Sequence, residues 1–183
     1  MKQASSELDA RSVMQASRRA SRFDPQDTIL ARRSGQELID RLALLEIAPE
    51  NILDLGCGAG IEAEILSHHY PKAHVIGLDI CPVCFQQEKS APWAPVVGDA
   101  AALPLSTGVF DLVFVNLVVP WSEPVLLFHE IARVLRPGGA VVISTLGPDT
   151  LKELRGAWNS VDDHPHVHPF VDMHNLGDAL LQA

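Results

Sequence analysis

The sequence predicts an α/β fold in which a mainly parallel, doubly wound sheet is covered by helices on both faces. Short apolar runs of strand length alternate along the chain with amphipathic stretches of helical length. The runs are apolar almost throughout, as in "FDLVFVNLVV", which is typical of parallel strands buried on both faces. A glycine-rich turn, "GCGAG", follows the first run directly, and open parallel sheets bind ligands at such turns.

The elements follow one another in the order that such a sheet requires. Pro71 and Pro137 mark the ends of two helices, because proline cannot continue a helix from its interior. Ser122, Asp149 and Asp172 are expected to cap three helices, since their side chains can accept hydrogen bonds from free backbone N–H groups. The predicted strands are residues 51–55, 73–80, 94–99, 110–119 and 140–146, and the predicted helices are residues 25–46, 60–71, 122–139, 149–160 and 172–182.

Length and composition indicate a single folded domain. The chain has 183 residues, of which 47% are hydrophobic and 20% charged, and these fractions are typical of a globular protein. We divide it into an N-terminal helical region (1–47), a central core (51–145) and a C-terminal helical segment (146–183). No apolar run approaches the roughly 20 residues of a membrane helix, and the polar N-terminus predicts no secretory leader. Three cysteines predict no disulfide framework, so we expect a cytoplasmic protein.

The charges are unevenly distributed. A net charge of −9 disfavours a nucleic-acid partner, because phosphate binding needs clustered lysines and arginines. Residues 1–41 nevertheless hold 8 of the 14 Lys and Arg against 6 acids, whereas the remainder holds 6 against 17. Two interpretations stay open: solvated helix faces, or a docking surface for an acidic partner. The arginines concerned are Arg18, Arg19, Arg22, Arg32, Arg33 and Arg41.

The glycine spacing and one aspartate indicate the kind of cofactor. Gly56, Gly58 and Gly60 lie where the first strand turns into a helix, and glycine there allows close approach of the backbone to a ligand. The dinucleotide fingerprint needs a further glycine or alanine where this chain has Ile61. Asp54 would repel a pyrophosphate but attract a cation. S-adenosylmethionine carries an ammonium and a sulfonium and no phosphate, so the pattern favours this cofactor over NAD.

Two further acids follow the next strands. Asp79 lies 19 residues after Gly60, where an acid can accept hydrogen bonds from both ribose hydroxyls. Asp99 follows the third strand and could accept one from an adenine amino group. An acid after a strand is by itself more often a turn former. Taken together, three acids and a glycine loop at one edge of the sheet indicate a binding site.

The motifs "ILDLGCGAG", "GLDI", "GDAAALPL", "FDLVFVNLVVPW" and "IARVLRPGG" resemble those of class I S-adenosylmethionine-dependent methyltransferases. The resemblance implies their Rossmann-like, doubly wound, mainly parallel sheet, with five strands present of the usual seven. The flanks, including "DTLKELRGAW", resemble the malonyl-[acyl-carrier protein] O-methyltransferases of biotin synthesis, so the resemblance extends over about residues 15–183. These enzymes methylate the free carboxylate of a malonyl thioester on an acidic carrier protein or on coenzyme A.

The resemblance also implies roles for individual residues. It places Asp54 near the methionine end of the cofactor, Asp99 and Ala100 at the adenine, and Asn116 near the reactive sulfur. A carboxylate is already a deprotonated nucleophile, so no general base is expected and no metal is assigned. The implied cofactor-binding residues are Asp54, Gly56, Cys57, Gly58, Gly60, Asp79, Ile80, Asp99, Ala100, Asn116 and Leu117, and the implied substrate-binding residues are Phe23, Trp121 and Arg155.

Several features keep alternatives open. Phe23 replaces a tyrosine that is common in the family, and Pro169 stands where relatives carry an arginine. Cys81 and Cys84 form a C-x-x-C near a His-rich segment, but no second such pair completes a zinc motif. The fifth strand lacks the usual two neighbours, so a homodimer that covers its edge is a further expectation. The alternative functions are an arginine hydroxylase, as in a mitochondrial complex I assembly factor of this fold, and a truncated, non-catalytic cofactor-binding or assembly protein.

Overall fold

A five-stranded sheet forms the centre of the molecule. The structure is a computed structural model that describes residues 10–20, 28–82, 85 and 91–183. Its strands have the order β3-β2-β1-β4-β5, and every neighbouring pair is parallel. The chain builds outward from β1 to β3 and then crosses back to β4, so the strand order reverses between β1 and β4. The strands are β1 Asn51–Leu55, β2 His74–Asp79, β3 Ala94–Val97, β4 Phe110–Asn116 and β5 Leu135–Ser144.

Helices cover both faces of this sheet, as predicted. Successive residues of β1 point to opposite faces, with Ile52 in the layer under α2 and α3 and Leu53 in the layer under α4 and α6. Both side chains are fully buried, which explains why the strand carries apolar residues on both of its faces. The helices are α1 Ala10–Ala20, α2 Ile29–Leu42, α3 Ile61–His69, α4 Pro124–Val134, α5 Lys152–Trp158 and α6 Met173–Gln182, with a 3₁₀ turn at Val119–Trp121.

The predicted cap of α4 was wrong by one residue. Glu123, and not Ser122, precedes the helix, and its carboxylate accepts the N–H groups of Val125 (3.2 Å) and Leu126 (2.8 Å). Pro124 occupies the first helical position, where its missing N–H has no consequence. The longer glutamate side chain therefore supplies the acceptor that was assigned to the serine.

The boundary between α4 and β5 also differs from the prediction. The helix ends at Val134, before Pro137, and β5 begins at Leu135, which pairs with Phe110 across a register shift. Pro137 is tolerated in the strand because β5 is at the edge of the described sheet. Arg136 of this segment forms an ion pair with the buried Asp111 of β4.

The other helix ends give mixed outcomes. Asp172 caps α6 as predicted, because its side chain accepts the N–H of His174 at 2.8 Å. Asp149 does not cap α5 with its side chain: the helix begins at Lys152, whose N–H is accepted by the backbone carbonyl of Asp149. α2 ends at Leu42, short of the predicted residue 46, and Glu46 has a left-handed φ of 46° that is incompatible with a continuing helix.

Within the described ranges, none of the helices has both the length and the apolarity needed to cross a bilayer.

Candidate cofactor site

A cavity of about 520 Å³ opens at the carboxyl edge of the sheet, where the strand order reverses. Open α/β sheets bind ligands at this position, because the loops on either side of the reversal diverge and leave a crevice. The ends of β1, β2 and β4 and the loop after β3 form most of its wall, and α1 and α2 close one side. Lining residues include Val13, Ser17, Ala31, Leu55, Gly56, Asp79, Ile80, Asp99, Ala100, Asn116, Leu117, Val118, Trp121 and Leu126.

Residues 56–60, the glycine loop, need glycine for conformation and for space. Gly56, Gly58 and Gly60 have φ values of 77°, 52° and 81°, in the left-handed region that other residues rarely adopt. A Cβ on Gly60 would lie 1.8 Å from a ring carbon of the buried Trp93, and one on Gly56 would lie 2.3 Å from a methyl group of Val118. The alternating glycines thus let the loop turn tightly between Trp93 and the cavity wall.

The backbone of the glycine loop has few donors left for an anion. Four of its N–H groups already have acceptors inside the protein. A phosphate-binding loop needs such groups free and pointing at the ligand. The site is therefore better suited to a ligand without phosphate at this loop. The N–H groups of Gly56 and Cys57 donate to the carbonyl of Leu78 (2.7 and 3.1 Å), that of Gly58 donates to Oδ2 of Asp79 (3.0 Å), and that of Gly60 donates to the carbonyl of Cys57 (2.8 Å).

Asp79 joins the glycine loop to the end of β2. Its two carboxylate oxygens accept the N–H groups of Gly58 (3.0 Å) and Cys81 (2.8 Å), and the side chain lies in the cavity wall. Burial raises the pKa of Asp79, and the backbone hydrogen bonds act in the opposite direction. A carboxylate has about four lone-pair positions, so Asp79 can still accept hydrogen bonds from a ligand's hydroxyl groups.

A buried acid, Asp54, and a partly buried one, Glu62, lie behind the glycine loop. Asp54 is only 2% exposed, and its Oδ2 has no hydrogen-bond partner in the part of the chain that the structure describes. Burial raises the pKa of Asp54 well above its ordinary value, and the negative charge of Glu62 raises it further. Burial likewise raises the pKa of Glu62. These two carboxyl groups favour positive charge in their surroundings.

Asp54 should make the stability of the protein depend on pH. Its raised pKa means that the folded protein binds this proton more readily than the unfolded chain does. The stabilisation of the fold that comes from this proton is therefore fully present below about pH 4. It is lost as the pH rises through the raised pKa. Asp54→Asn, which cannot ionise, should therefore flatten the pH dependence and raise the melting temperature at pH 8. Thermal unfolding across the pH range checks this, with the exposed Asp40→Asn as control, and equal pH profiles for both variants would contradict it.

Asn116, at the end of β4, is held by four hydrogen bonds within the protein. Its carboxamide has two donors and two acceptor positions, and all four are used. Asn116 therefore fastens α2, α3 and β5 around the cavity and has no hydrogen-bonding position left over for a ligand. Its Oδ1 accepts from Ser34 and Ser144 (both 2.7 Å), and its Nδ2 donates to the carbonyl of Ala31 (2.9 Å) and to Oε1 of Glu62 (3.2 Å).

Sequence reasoning missed Ser34, Glu62 and Ser144. One signal could have indicated part of this network, namely Gly35 in the middle of a helix. A Cβ on Gly35 would lie 2.3 Å from Oε1 of Glu62 and 3.0 Å from Nδ2 of Asn116. A glycine inside a helix often marks such a close approach.

Leu117 follows Asn116 in a strained backbone conformation. Its φ of 58° is unfavourable for a residue with a branched side chain, at a cost of roughly 1–3 kcal/mol. Ser144 stabilises this conformation, since the N–H of Leu117 donates to both its carbonyl (3.2 Å) and its hydroxyl (3.0 Å). Backbone strain of this kind clusters at functional sites, and Leu117 does line the cavity.

The structure brings many of the predicted residues to one cavity but not all of them. Arg155 of α5 is outside the lining and donates to the carbonyls of Pro148 (3.3 Å) and Thr150 (3.2 Å). Phe23 lies outside the described residues. In the wall are Gly56, Asp79, Ile80, Asp99, Ala100, Asn116, Leu117 and Trp121, whereas Asp54, Cys57, Gly58 and Gly60 are not part of the lining.

The cysteines give no metal centre in the described part of the chain. Cys57 and Cys81 are buried, and Cys84 lies outside the described residues. Nowhere in the described ranges do three His, Cys, Asp or Glu side chains converge as metal ligands would.

The sequence matches the methyltransferase domain family over residues 53–143, from the middle of β1 almost to the end of β5. This segment contains the glycine loop, Asp79, Asp99 and Asn116. The chain belongs to the class I, S-adenosylmethionine-dependent methyltransferases.

Curated relatives of this methyltransferase domain are longer than the chain. One from Legionella pneumophila is 42% identical over 80% of this chain and 54% of its own length. Another from Gallionella capsiferriformans is 38% identical over 96% of this chain and 65% of its own length. Both are named malonyl-[acyl-carrier protein] O-methyltransferase. The chain thus spans between about half and two thirds of the length of these relatives.

A solved structure shares the fold of this methyltransferase domain. The N-methyltransferase NodS from Bradyrhizobium japonicum WM9, in complex with S-adenosylhomocysteine, superposes with a TM-score of 0.70. The match covers 93% of this chain and 85% of NodS at 21% sequence identity, so it bears on the fold alone.

Proposed function

We propose that this domain binds S-adenosylmethionine and transfers its methyl group to the free carboxylate of a malonyl thioester on an acyl-carrier protein, the reaction that opens biotin synthesis. One observation carries the cofactor assignment: four N–H groups of the glycine loop are used internally, while the carboxyl groups of Asp79 and Asp54 lie beside the loop. That arrangement favours a cationic nucleoside over a pyrophosphate. The names of the curated relatives support the choice of acceptor.

The cavity residues fit the parts of this cofactor. Asp79 is proposed to bind the ribose hydroxyls, and Asp99 with Ala100 to contact the adenine. Asp54, with Glu62 beside it, is proposed to favour the positively charged end from behind the glycine loop. Ile80 and Leu117 offer apolar contacts, and Gly56, Cys57, Gly58 and Gly60 allow the backbone to come close. When bound, S-adenosylmethionine supplies an activated methyl group on a sulfonium.

The protein's contribution to the reaction is then positioning and the exclusion of water. The malonyl carboxylate is ionised at neutral pH, so no side chain has to remove a proton from it. Holding a nucleophile in line with its target can lower the barrier by several kcal/mol. Trp121 lies in the cavity wall and is half exposed, which suits a contact with an entering thioester. Arg155 and Phe23 stay predictions for the acceptor side.

The remaining partner and location assignments are proposals too. A cytoplasmic setting stays a prediction from the sequence. A homodimer across the edge of β5 stays a prediction, and light scattering of the purified chain would test it. We expect neither nucleic acid nor a membrane as a partner.

The cofactor proposal is tested by calorimetry with two ligands. S-adenosylhomocysteine should bind the 183-residue chain with a Kd in the micromolar range, and NAD should show no binding at about a hundredfold higher concentration. The expected preference follows from the lack of free N–H groups for a pyrophosphate. Binding of NAD with equal or higher affinity would contradict the proposal.

A further inference from the structure

A second depression, the α2–α3 groove, lies on the surface between α2 and the start of α3. Its volume is about 350 Å³, and it combines an apolar floor with a basic rim. Ile29, Ile61 and Ile65 form the apolar part, and Ile29 is 76% exposed. Arg32 and Arg33 form the rim. Neither arginine is used in the cofactor site described above.

The α2–α3 groove and the cofactor cavity share one wall. Ala31 of α2 lines the cavity, and the next residue, Arg32, lines the groove. On the other side Glu62 lines the groove and hydrogen-bonds at 3.2 Å to Asn116, which lines the cavity. The groove and the cavity therefore lie on either side of the Ala31–Arg32 segment and of the hydrogen bond between Glu62 and Asn116.

The rim is positively charged in a protein that is strongly negative. The chain has a net charge of −9, yet the groove lining holds two adjacent arginines and one carboxylate, Glu62, on which the charge of Arg32 acts. Arg33 is 81% exposed, and its contact with Glu37 at 3.6 Å is a surface pair of the kind that contributes little. Its guanidinium stays accessible to another anionic group.

We propose that the α2–α3 groove is the docking surface for the acidic carrier protein that presents the thioester substrate. This rests on the proposed function, which supplies the carrier as the partner. The basic rim attracts the carrier's carboxylates, which the enzyme's overall charge would otherwise repel. Ile29 and Ile61 receive apolar side chains of the carrier, and the thioester arm passes over Ala31 into the cavity.

Charge variants on one helix test this surface. Arg33→Glu reverses a rim charge, and Arg32→Gln with Arg33→Gln removes both. The matched control is Arg41→Glu, which makes the same reversal on α2 about 12 Å further along the helix axis and outside the groove lining. Binding of the malonyl-loaded carrier is measured by fluorescence anisotropy at low salt. Binding of S-adenosylhomocysteine and methyl transfer to malonyl-pantetheine, which keeps the malonyl carboxylate but lacks the acidic surface of the carrier, are measured alongside.

The groove variants should raise the Kd for the carrier roughly tenfold or more, since like-charge juxtaposition across an interface is strongly unfavourable. Arg41→Glu should change that Kd by less than about twofold. S-adenosylhomocysteine affinity and methyl transfer to malonyl-pantetheine should stay unchanged in all variants. Equal loss in Arg33→Glu and Arg41→Glu, unchanged carrier binding, or a change only in self-association would overturn the docking proposal. No methyl transfer to malonyl-pantetheine by the wild type would instead count against the proposed function.

Discussion

Replacing Asp79 with alanine should weaken S-adenosylhomocysteine binding by roughly 10- to 150-fold, which corresponds to about 1.5–3 kcal/mol for lost hydrogen bonds to a charged group. Two effects act together. The proposed bonds to the ribose hydroxyls disappear, and the N–H groups of Gly58 and Cys81 lose the acceptor that holds the glycine loop to β2. Isothermal titration calorimetry of wild type and variant measures the change.

The matched control for Asp79→Ala is Asp149→Ala. The side chain of Asp149 is 89% exposed and lies outside the cavity lining, so its removal should leave the Kd unchanged. Thermal melts of both variants show whether the chain is folded. An Asp79→Ala variant that melts cooperatively and binds S-adenosylhomocysteine as tightly as the wild type would exclude Asp79 from the cofactor site.

Replacing Gly60 with alanine should destabilise the fold by about 2–5 kcal/mol. A left-handed φ of 81° costs a residue with a Cβ roughly 1–2 kcal/mol. Overpacking against the buried Trp93 ring, which a Cβ would approach to 1.8 Å, adds about 1–3 kcal/mol. For a chain of this size we expect a fall in melting temperature of roughly 5–15 °C, measured by circular dichroism.

Gly58→Ala separates the conformational cost from the packing cost. Gly58 has a positive φ of 52°, but no atom lies within 4 Å of the position of its Cβ. Its replacement should therefore cost only the conformational part, about 1–2 kcal/mol. If both variants lost the same stability, the contact between Gly60 and Trp93 would not be the reason for that glycine.

The fold was predictable because its strands carry a strong and simple signal. A run such as "FDLVFVN" is apolar except for Asp111 and Asn116, which is typical of a strand buried on both faces, and β4 is such a strand. The glycine spacing was likewise predictable as a turn, since three positive φ values restrict the choice of residue. What the spacing could not show is that Trp93, far along the sequence, supplies the steric reason at Gly60.

The ends of the helices and strands were harder to predict because neighbouring residues can serve equally well as a helix cap or as a signal for the end of a helix. Ser122 and Glu123 both carry an acceptor for a helix N-terminus, and only the geometry assigns the cap to Glu123. Pro137 indicated the end of a helix, yet an edge strand tolerates it equally well.

The hydrogen-bond network around Asn116 could not be predicted from the sequence for a related reason. Its partners Ser34, Glu62 and Ser144 lie on three different elements, and no local pattern connects them. The charge pattern had a similar limit. It indicated a basic N-terminal region, but only the structure shows that Arg32 and Arg33 line one groove while Arg41 does not.

The most direct test of the central claim is methyl transfer from isotopically labelled S-adenosylmethionine to malonyl-loaded carrier protein by the purified 183-residue chain. Mass spectrometry of the carrier arm identifies the product. We predict a labelled methyl ester on the malonyl carboxylate together with S-adenosylhomocysteine, both dependent on Asp79. A folded chain that binds the cofactor but leaves the malonyl group unmethylated, or that instead inserts oxygen into an arginine side chain, would contradict the account.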